Sequence, residues 1–163
     1  RFAAIYLATL RQLGLAIVTI ASVLALAYLM NYSGMTSTLG LALAATGVAF
    51  PFFSPLLGWL GVVLTGSVTS SNALFGGLQV VTANSLDLNP VLTASANAAG
   101  GVMGKMISPQ SIAVAVAATQ MPQSDEGRLF RHTLRHSLVL ITFVGLLVLL
   151  YAYVFPELVP VAE

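Results

Sequence analysis

Three long apolar runs, separated by polar breaks, set the pattern of this chain. Residues 13–30 hold roughly 18 positions without a charge, about enough to cross the ~30 Å hydrocarbon layer as a helix. A polar break follows, with Asn31, Ser33, Gly34, Thr36 and Ser37. Residues 39–64 are apolar again, and as a single helix would measure roughly 39 Å, longer than that layer. Pro51 and Pro55 lie in the middle of this run. Each removes a backbone donor, which predicts a kink or break near Phe50. Trp59 fits an interfacial position towards the far end. Residues 137–155 form a last run of about 19 uncharged positions, with Tyr151, Tyr153 and Phe155 at its outer end and Pro156 beyond. Residues 1–12, edged by Arg1 and Arg11, fit a membrane-surface helix or the end of a preceding segment.

Between the second and last runs the pattern changes. Residues 65–72 and 97–111 are rich in hydroxyls, amides and glycines. Such groups at membrane depth cost free energy unless they face protein, water or a ligand. Ser70, Ser71 and Asn72 offer an N-cap to a helical run over residues 73–81. Asp87, Asn89 and Pro90 are turn chemistry, and a short apolar run over 91–99 ends at Gly100-Gly101. Residues 65–99 therefore read as a re-entrant segment or two short helices. Gly100 and Gly104 have the spacing of a close helix-packing face. Pro109 forbids a regular helix through Ile107 and Ser108, and Ser108 with Pro109 supplies an N-cap and a first helical residue for the next helix. The reading is all-α: a polytopic integral membrane protein with spans at 13–30, 39–64, 100–119 (broken) and 137–155, and a re-entrant hairpin at 65–99. A helix interrupted by glycines and a proline beside a polar loop is the pattern of a discontinuous transporter helix.

Composition sharpens this. Of 163 residues 58% are apolar and only 7% charged, and the mean hydropathy is +0.94. Soluble domains are about 25% charged, so a lipid bilayer is the expected surroundings. The net charge of +1 and the lack of a basic patch interleaved with aromatics argue against nucleic acid. Without cysteine there is neither a disulfide frame nor a thiolate metal site. The charge-dense loop at 120–136, with Arg128, Arg131 and Arg135, is expected on the cytoplasmic side. The chain starts at Arg1 directly in a helical pattern, as the C-terminal piece of a longer protein would.

The chemistry available is anion binding. Two helix N-termini fall near membrane depth, and such termini attract anions through unpaired N–H groups and the helix dipole. The candidate donors are Thr69, Ser70, Ser71, Asn72, Asn97, Lys105, Ser108 and Gln110. Lys105 adds a fixed charge beside the second break. The set suits a small carboxylate that bears a hydroxyl. The same hydroxyls and amides are also the groups that hydrogen-bond helices to each other inside membranes. His132 and His136 have the i, i+4 spacing of a metal pair but no third ligand accompanies them, so they read as a solvated basic flank. No nucleophile–base pair and no phosphate loop occurs, which leaves an enzyme without chemistry. No cofactor is implied.

Gly58-Trp59-Leu60-Gly61, the stretch from Thr65-Gly66-Ser67 to Ala73-Leu74-Phe75, and Gly104-Lys105-Met106-Ile107-Ser108-Pro109-Gln110-Ser111-Ile112-Ala113 resemble the L-lactate permease family. The likeness covers nearly the whole chain, including Asn31-Tyr32-Ser33-Gly34. It implies the C-terminal portion of a bacterial or archaeal transporter of the inner membrane that takes up lactate or glycolate with protons. It also implies a fold similar to the ion-transporter superfamily, in which two inverted repeats each carry a re-entrant hairpin and a broken helix. The remaining N-terminal part would then be a partner of this segment. Many members have an acidic residue where Val68 stands, so the proton site implied by the family is either elsewhere or replaced by another coupling cation. A permease for another organic anion and a non-transporting structural subunit are the competing readings of the residues alone.

Overall fold

The computed structural model describes residues 2–160. Seven α-helices and no strand occur among them: α1 (Phe2–Tyr32), α2 (Met35–Ala44), α3 (Phe50–Thr65), α4 (Val68–Ser85), α5 (Pro90–Lys105), α6 (Pro109–Thr119) and α7 (Glu126–Tyr153). The fold is all-α, as expected. Arg1 lies outside the described residues. Among those residues, the segment Gly47–Thr65 and α7 are each long and apolar enough to cross a membrane. The bent pair Ile17–Tyr32 and Met35–Ala44 passes the same test when taken together.

Helix boundaries differ from the sequence pattern in four places, each with a local cause. Residues 1–12 and 13–30 are not separate segments, since α1 runs through both and only Gly14 interrupts its helix formers, with nothing packed near it. The chain bends by 75° after α1, where Gly34 takes the left-handed conformation at φ 77. The second run breaks before the prolines rather than at them. The break carries Gly47 at φ 55, and α3 begins at Phe50 with Pro51 in its first turn. There the missing N–H would be unpaired anyway, so Pro51 starts the helix, and Pro55 one turn later leaves it continuous. Gly100-Gly101 does not end a helix either, because α5 continues to Lys105. Finally, α7 begins at Glu126, so the arginines of the expected loop occupy the first turns of the last helix.

Close backbone contact between α3 and α5 organises the bundle. A methyl group added at Gly58 would run into the backbone of Asn97, one at Gly100 into that of Pro55, and one at Gly104 into that of Trp59. Between helices in lipid, apolar burial supplies little drive, and small residues that admit close packing take its place. The Gly100/Gly104 spacing does what it predicts. The paired positions along α3 and α5 rise together, so the two helices run parallel. The antiparallel α4 packs on both. α7 closes the other side, where a methyl group added at Gly145 would run into the Phe52 ring. The Trp59 indole N–H donates to Ser137 Oγ at 2.8 Å, and that hydroxyl donates to the Met103 carbonyl at 2.7 Å, tying α3, α7 and α5 at one point. Leu92, Ala96 and Val148 form a small apolar core below it.

Gly100→Leu should lower the thermal stability and membrane abundance of the complete protein, because overpacking costs roughly 1–3 kcal/mol even where side chains can yield and here the obstacle is backbone. Gly76→Ala, in the middle of α4 with open space at its Cβ, should match or slightly exceed the parent, since alanine gains about 1 kcal/mol over glycine inside a helix. Equal melting temperatures for Gly100→Leu and the parent would show that α3 and α5 can separate freely.

Candidate functional site

Four helices meet at Gly66. It ends α3 in the left-handed conformation at φ 67, and its N–H closes on the Val62 carbonyl at 2.7 Å. A larger residue is strained there by that backbone angle, and its Cβ would also displace the Gln110 side-chain amide, which occupies that space. The Lys105 ammonium donates to the Gly66 carbonyl. Thus α5 and α6 both send a side chain to the turn between α3 and α4.

Two helix N-termini flank that turn. Ser67, in extended conformation, caps α4, its Oγ accepting from the Ser70 N–H at 3.2 Å. The expected cap of Ser70, Ser71 and Asn72 is corrected: these three lie within the first two turns of α4, which starts at Val68 and continues to Ser85. Ser108 caps α6 as expected, accepting from the Ser111 N–H at 3.4 Å, with Pro109 as the first helical residue. Among the described residues the N–H groups of Val68, Thr69 and Gln110 make no hydrogen bond. Two helix N-termini, three free N–H donors and the Lys105 charge thus lie around the turn at Gly66, linked to it by the Lys105 and Gln110 side chains. No carboxylate pairs with Lys105 among the described residues, and its ammonium has two further N–H donors.

A second polar group lies along α4 and α5. Ser54 Oγ donates to Gln79 Oε1 at 2.8 Å. Gln79 Nε2 donates to the Ser54 carbonyl at 2.8 Å and to Asn97 Oδ1 at 3.2 Å. Asn97 Nδ2 in turn donates to Asn72 Oδ1 at 2.8 Å. Ser54, Gln79 and Asn97 are fully buried, whereas Asn72 is exposed. The Ser54 carbonyl can only accept, so it fixes which end of the Gln79 amide is nitrogen. That orientation sets Asn97, and Asn97 sets Asn72. The Asn72 amide nitrogen is left pointing away from the chain of bonds as a donor.

The remaining candidates divide between structure and surface. Ser71 is buried and donates to the Gly58 carbonyl at 3.1 Å, which is helix-to-helix adhesion. Ser70 and Ser108 are also buried, while Thr69, Lys105 and Gln110 are exposed. Asn97 and Lys105 lie eight residues apart on α5, about 12 Å along its axis. The Asn72–Asn97 pair and the Lys105–Ser108–Gln110 group are thus two separate clusters on one α4–α5 seam, too far apart for a single small carboxylate to touch both. Sequence reasoning missed Ser54, Gln79 and Thr93, whose hydroxyl reaches the Gln79 carbonyl at 3.3 Å. A signal existed: Asn72 and Gln79 are seven residues apart, as are no other amides of α4 facing the bundle, and that spacing puts both on one helix face.

Comparison with known proteins shows the family. Residues 1–155 match the model of the L-lactate permease family. The chain is 58% identical over 151 residues to the glycolate permease GlcA of Escherichia coli strain K12, covering 93% of this chain and 27% of that protein. It is 55% identical over 152 residues to the L-lactate permease of Bacillus subtilis strain 168, with the same coverages. It is 46% identical over 129 residues to the L-lactate permease of Halalkalibacterium halodurans, covering 79% of this chain and 24% of that protein. The chain therefore spans about a quarter of the length of the curated relatives it matches. No solved structure matches it. The family is one of membrane transporters, and the seam of helix ends, free donors and a lone lysine lies inside the matched region: the chain belongs to the L-lactate permease family.

Proposed function

We propose that this chain is part of a secondary transporter that imports lactate or glycolate, both small 2-hydroxy monocarboxylates, with protons and by alternating access. The observation that carries this reading is the junction at Gly66, where two helix N-termini and the Lys105 ammonium offer donors to one anion. The names of the relatives supply the substrate class. The carboxylate is held at that junction by Lys105, with the free N–H groups of Val68, Thr69 and Gln110 around it. Asn72 is a second donor station along the same seam, kept in its donating orientation by Asn97 and Gln79.

The working transporter is multi-pass and sits in the prokaryotic inner membrane, with the remaining N-terminal part completing the site. Residues 65–99 are its re-entrant segment, and the end of α5 from Gly100, the break at 106–108 and α6 form its discontinuous span. The acidic residues among the described ones, Asp87, Asp125, Glu126 and Glu157, all lie at turns or helix ends outside the seam. Val68 contributes no carboxylate. The coupled proton is then carried by a group outside this chain, or another cation takes its place.

Radiolabelled lactate uptake by the complete protein, with membrane abundance measured alongside, tests the site. Lys105→Met should weaken apparent affinity most, because hydrogen bonds to charged groups contribute roughly 1.5–3 kcal/mol. Asn72→Ala should cost roughly 0.5–1.5 kcal/mol, or about 2- to 12-fold, and Thr119→Ala, beyond both clusters, should cost nothing. Normal affinity in Lys105→Met at normal abundance would remove the junction from the site. Gln79→Leu is expected to act differently: it strands Ser54 and Asn97 and should destabilise the protein by roughly 1–3 kcal/mol. The surviving protein should bind lactate no better than Asn72→Ala does. Parental affinity in Gln79→Leu would mean that the orientation of Asn72 is immaterial.

Topology is tested by labelling cysteines placed at Ser124 and Leu158, on either side of α7. The residue at 124 should react only from the cytoplasmic face and that at 158 only from outside. Labelling of both from outside would invert the proposed orientation.

A further inference from the structure

α7 carries a surface that the substrate seam does not use. Arg128, Arg135, Val139, Phe143, Leu146 and Leu150 recur at intervals of three, four or seven residues, so they share one side of the helix. All six are exposed. The opposite side, with Ser137, Ile141, Gly145 and Val148, is buried in the bundle. At the charged end, Arg128, Arg131, His132 and Arg135 line a concavity of about 650 Å³ together with Met121, Asp125 and Leu129. The arginines have no ion-pair partner among the described residues, and Arg131 Nε makes only a 3.4 Å bond to the Gly127 carbonyl of its own helix. Asp125 is the one carboxylate on the wall. Below the arginines no charge occurs until the helix ends at Tyr153, about 25 Å further on.

We propose that this face binds an anionic phospholipid, with the headgroup phosphate in the arginine-lined concavity and an acyl chain along Val139, Phe143 and Leu146. Guanidinium groups match phosphate with paired hydrogen bonds. Basic residues at the end of a membrane span each favour an anionic bilayer surface over a neutral one. The order of the face is that of the lipid: charge confined to one end, then an unbroken apolar surface. A protein partner would have to supply both an acidic patch and a long apolar helix in register. The proposal rests on α7 as a membrane span and is independent of the substrate site.

The test uses the complete polypeptide that carries this segment, purified in a neutral detergent, with its retained lipids counted by mass spectrometry. Phosphatidylglycerol should be enriched over phosphatidylethanolamine. Combined Arg128→Gln, Arg131→Gln and Arg135→Gln substitutions should lower that enrichment by up to about fivefold per arginine, leaving the lactate affinity of the surviving protein unchanged. A measurement on the parent alone guards against a variant that fails to fold: in phosphatidylcholine vesicles its thermal unfolding should rise when phosphatidylglycerol is added, and inorganic phosphate should not reproduce the rise. Equal phosphatidylglycerol retention by parent and triple variant would overturn the proposal. So would full stabilisation by inorganic phosphate, which marks a site for the free anion. Loss of the variant's abundance, with no lipid preference in the parent, would also overturn it and assign the face to contact with the rest of the transporter.

Discussion

The contact between the backbones of α3 and α5 is the constraint on which the other arrangements depend. Gly58, Gly100 and Gly104 let two main chains touch where any side chain would hold them apart. With the two helices that close, Ser54 on α3 comes within reach of Gln79 on α4, and Gln79 within reach of Asn97 on α5. The same approach brings the end of α5 back to the start of α4, so that Lys105 meets Gly66. Both polar clusters are therefore products of one packing decision made by glycines, in surroundings where apolar burial alone gives helices little reason to associate.

The polar residues of the seam serve two purposes that the structure separates. Ser71, Thr82 and Ser137 spend their hydroxyls on carbonyls of neighbouring helices, and every buried side-chain polar atom among the described residues has a partner. These are adhesion between helices. Thr69, Asn72, Lys105 and Gln110 keep donors at the surface. The two kinds are interleaved along the same turns of α4, because an adhesive residue and an outward donor need only be one position apart on a helix. In an α-helix of this composition, holding the bundle and presenting free donors are properties of different faces of one segment.

Much of this was legible in the residues. The apolar runs gave the membrane setting, the Gly100/Gly104 spacing gave the close packing, and Ser108-Pro109 gave the start of α6. What escaped was decided by tertiary context. Proline was expected to break a helix at Phe50, yet Pro51 falls where no backbone donor is needed, and Gly47 makes the break instead. Three consecutive polar residues looked like a cap, yet the cap is Ser67, directly after the left-handed Gly66 that turns the chain. Gly100-Gly101 looked like an end, yet helix neighbours on both sides hold it helical. The seven-residue spacing put Gln79 on one face with Asn72, but its partner Ser54 lies 25 residues away on another helix, which no local pattern shows. The whole-chain resemblance identified the family from motifs without needing any of these details.

The hydrogen-bond chain from Ser54 to Asn72 has a direction, and that direction has a consequence at the surface. Amide side chains can ordinarily turn over and exchange oxygen for nitrogen, so a lone surface asparagine is neutral between positive and negative visitors. Here the innermost amide is pinned by a main-chain carbonyl, and each later amide inherits its sense. Asn72 cannot turn over without breaking the bonds behind it. Its outer end shows hydrogen to an approaching solute. One lone pair of the Asn72 oxygen is taken by Asn97, and both hydrogens of its nitrogen remain available as donors. Three hydrogen bonds that start at a main-chain carbonyl thus decide which end of an uncharged surface amide is left free to donate.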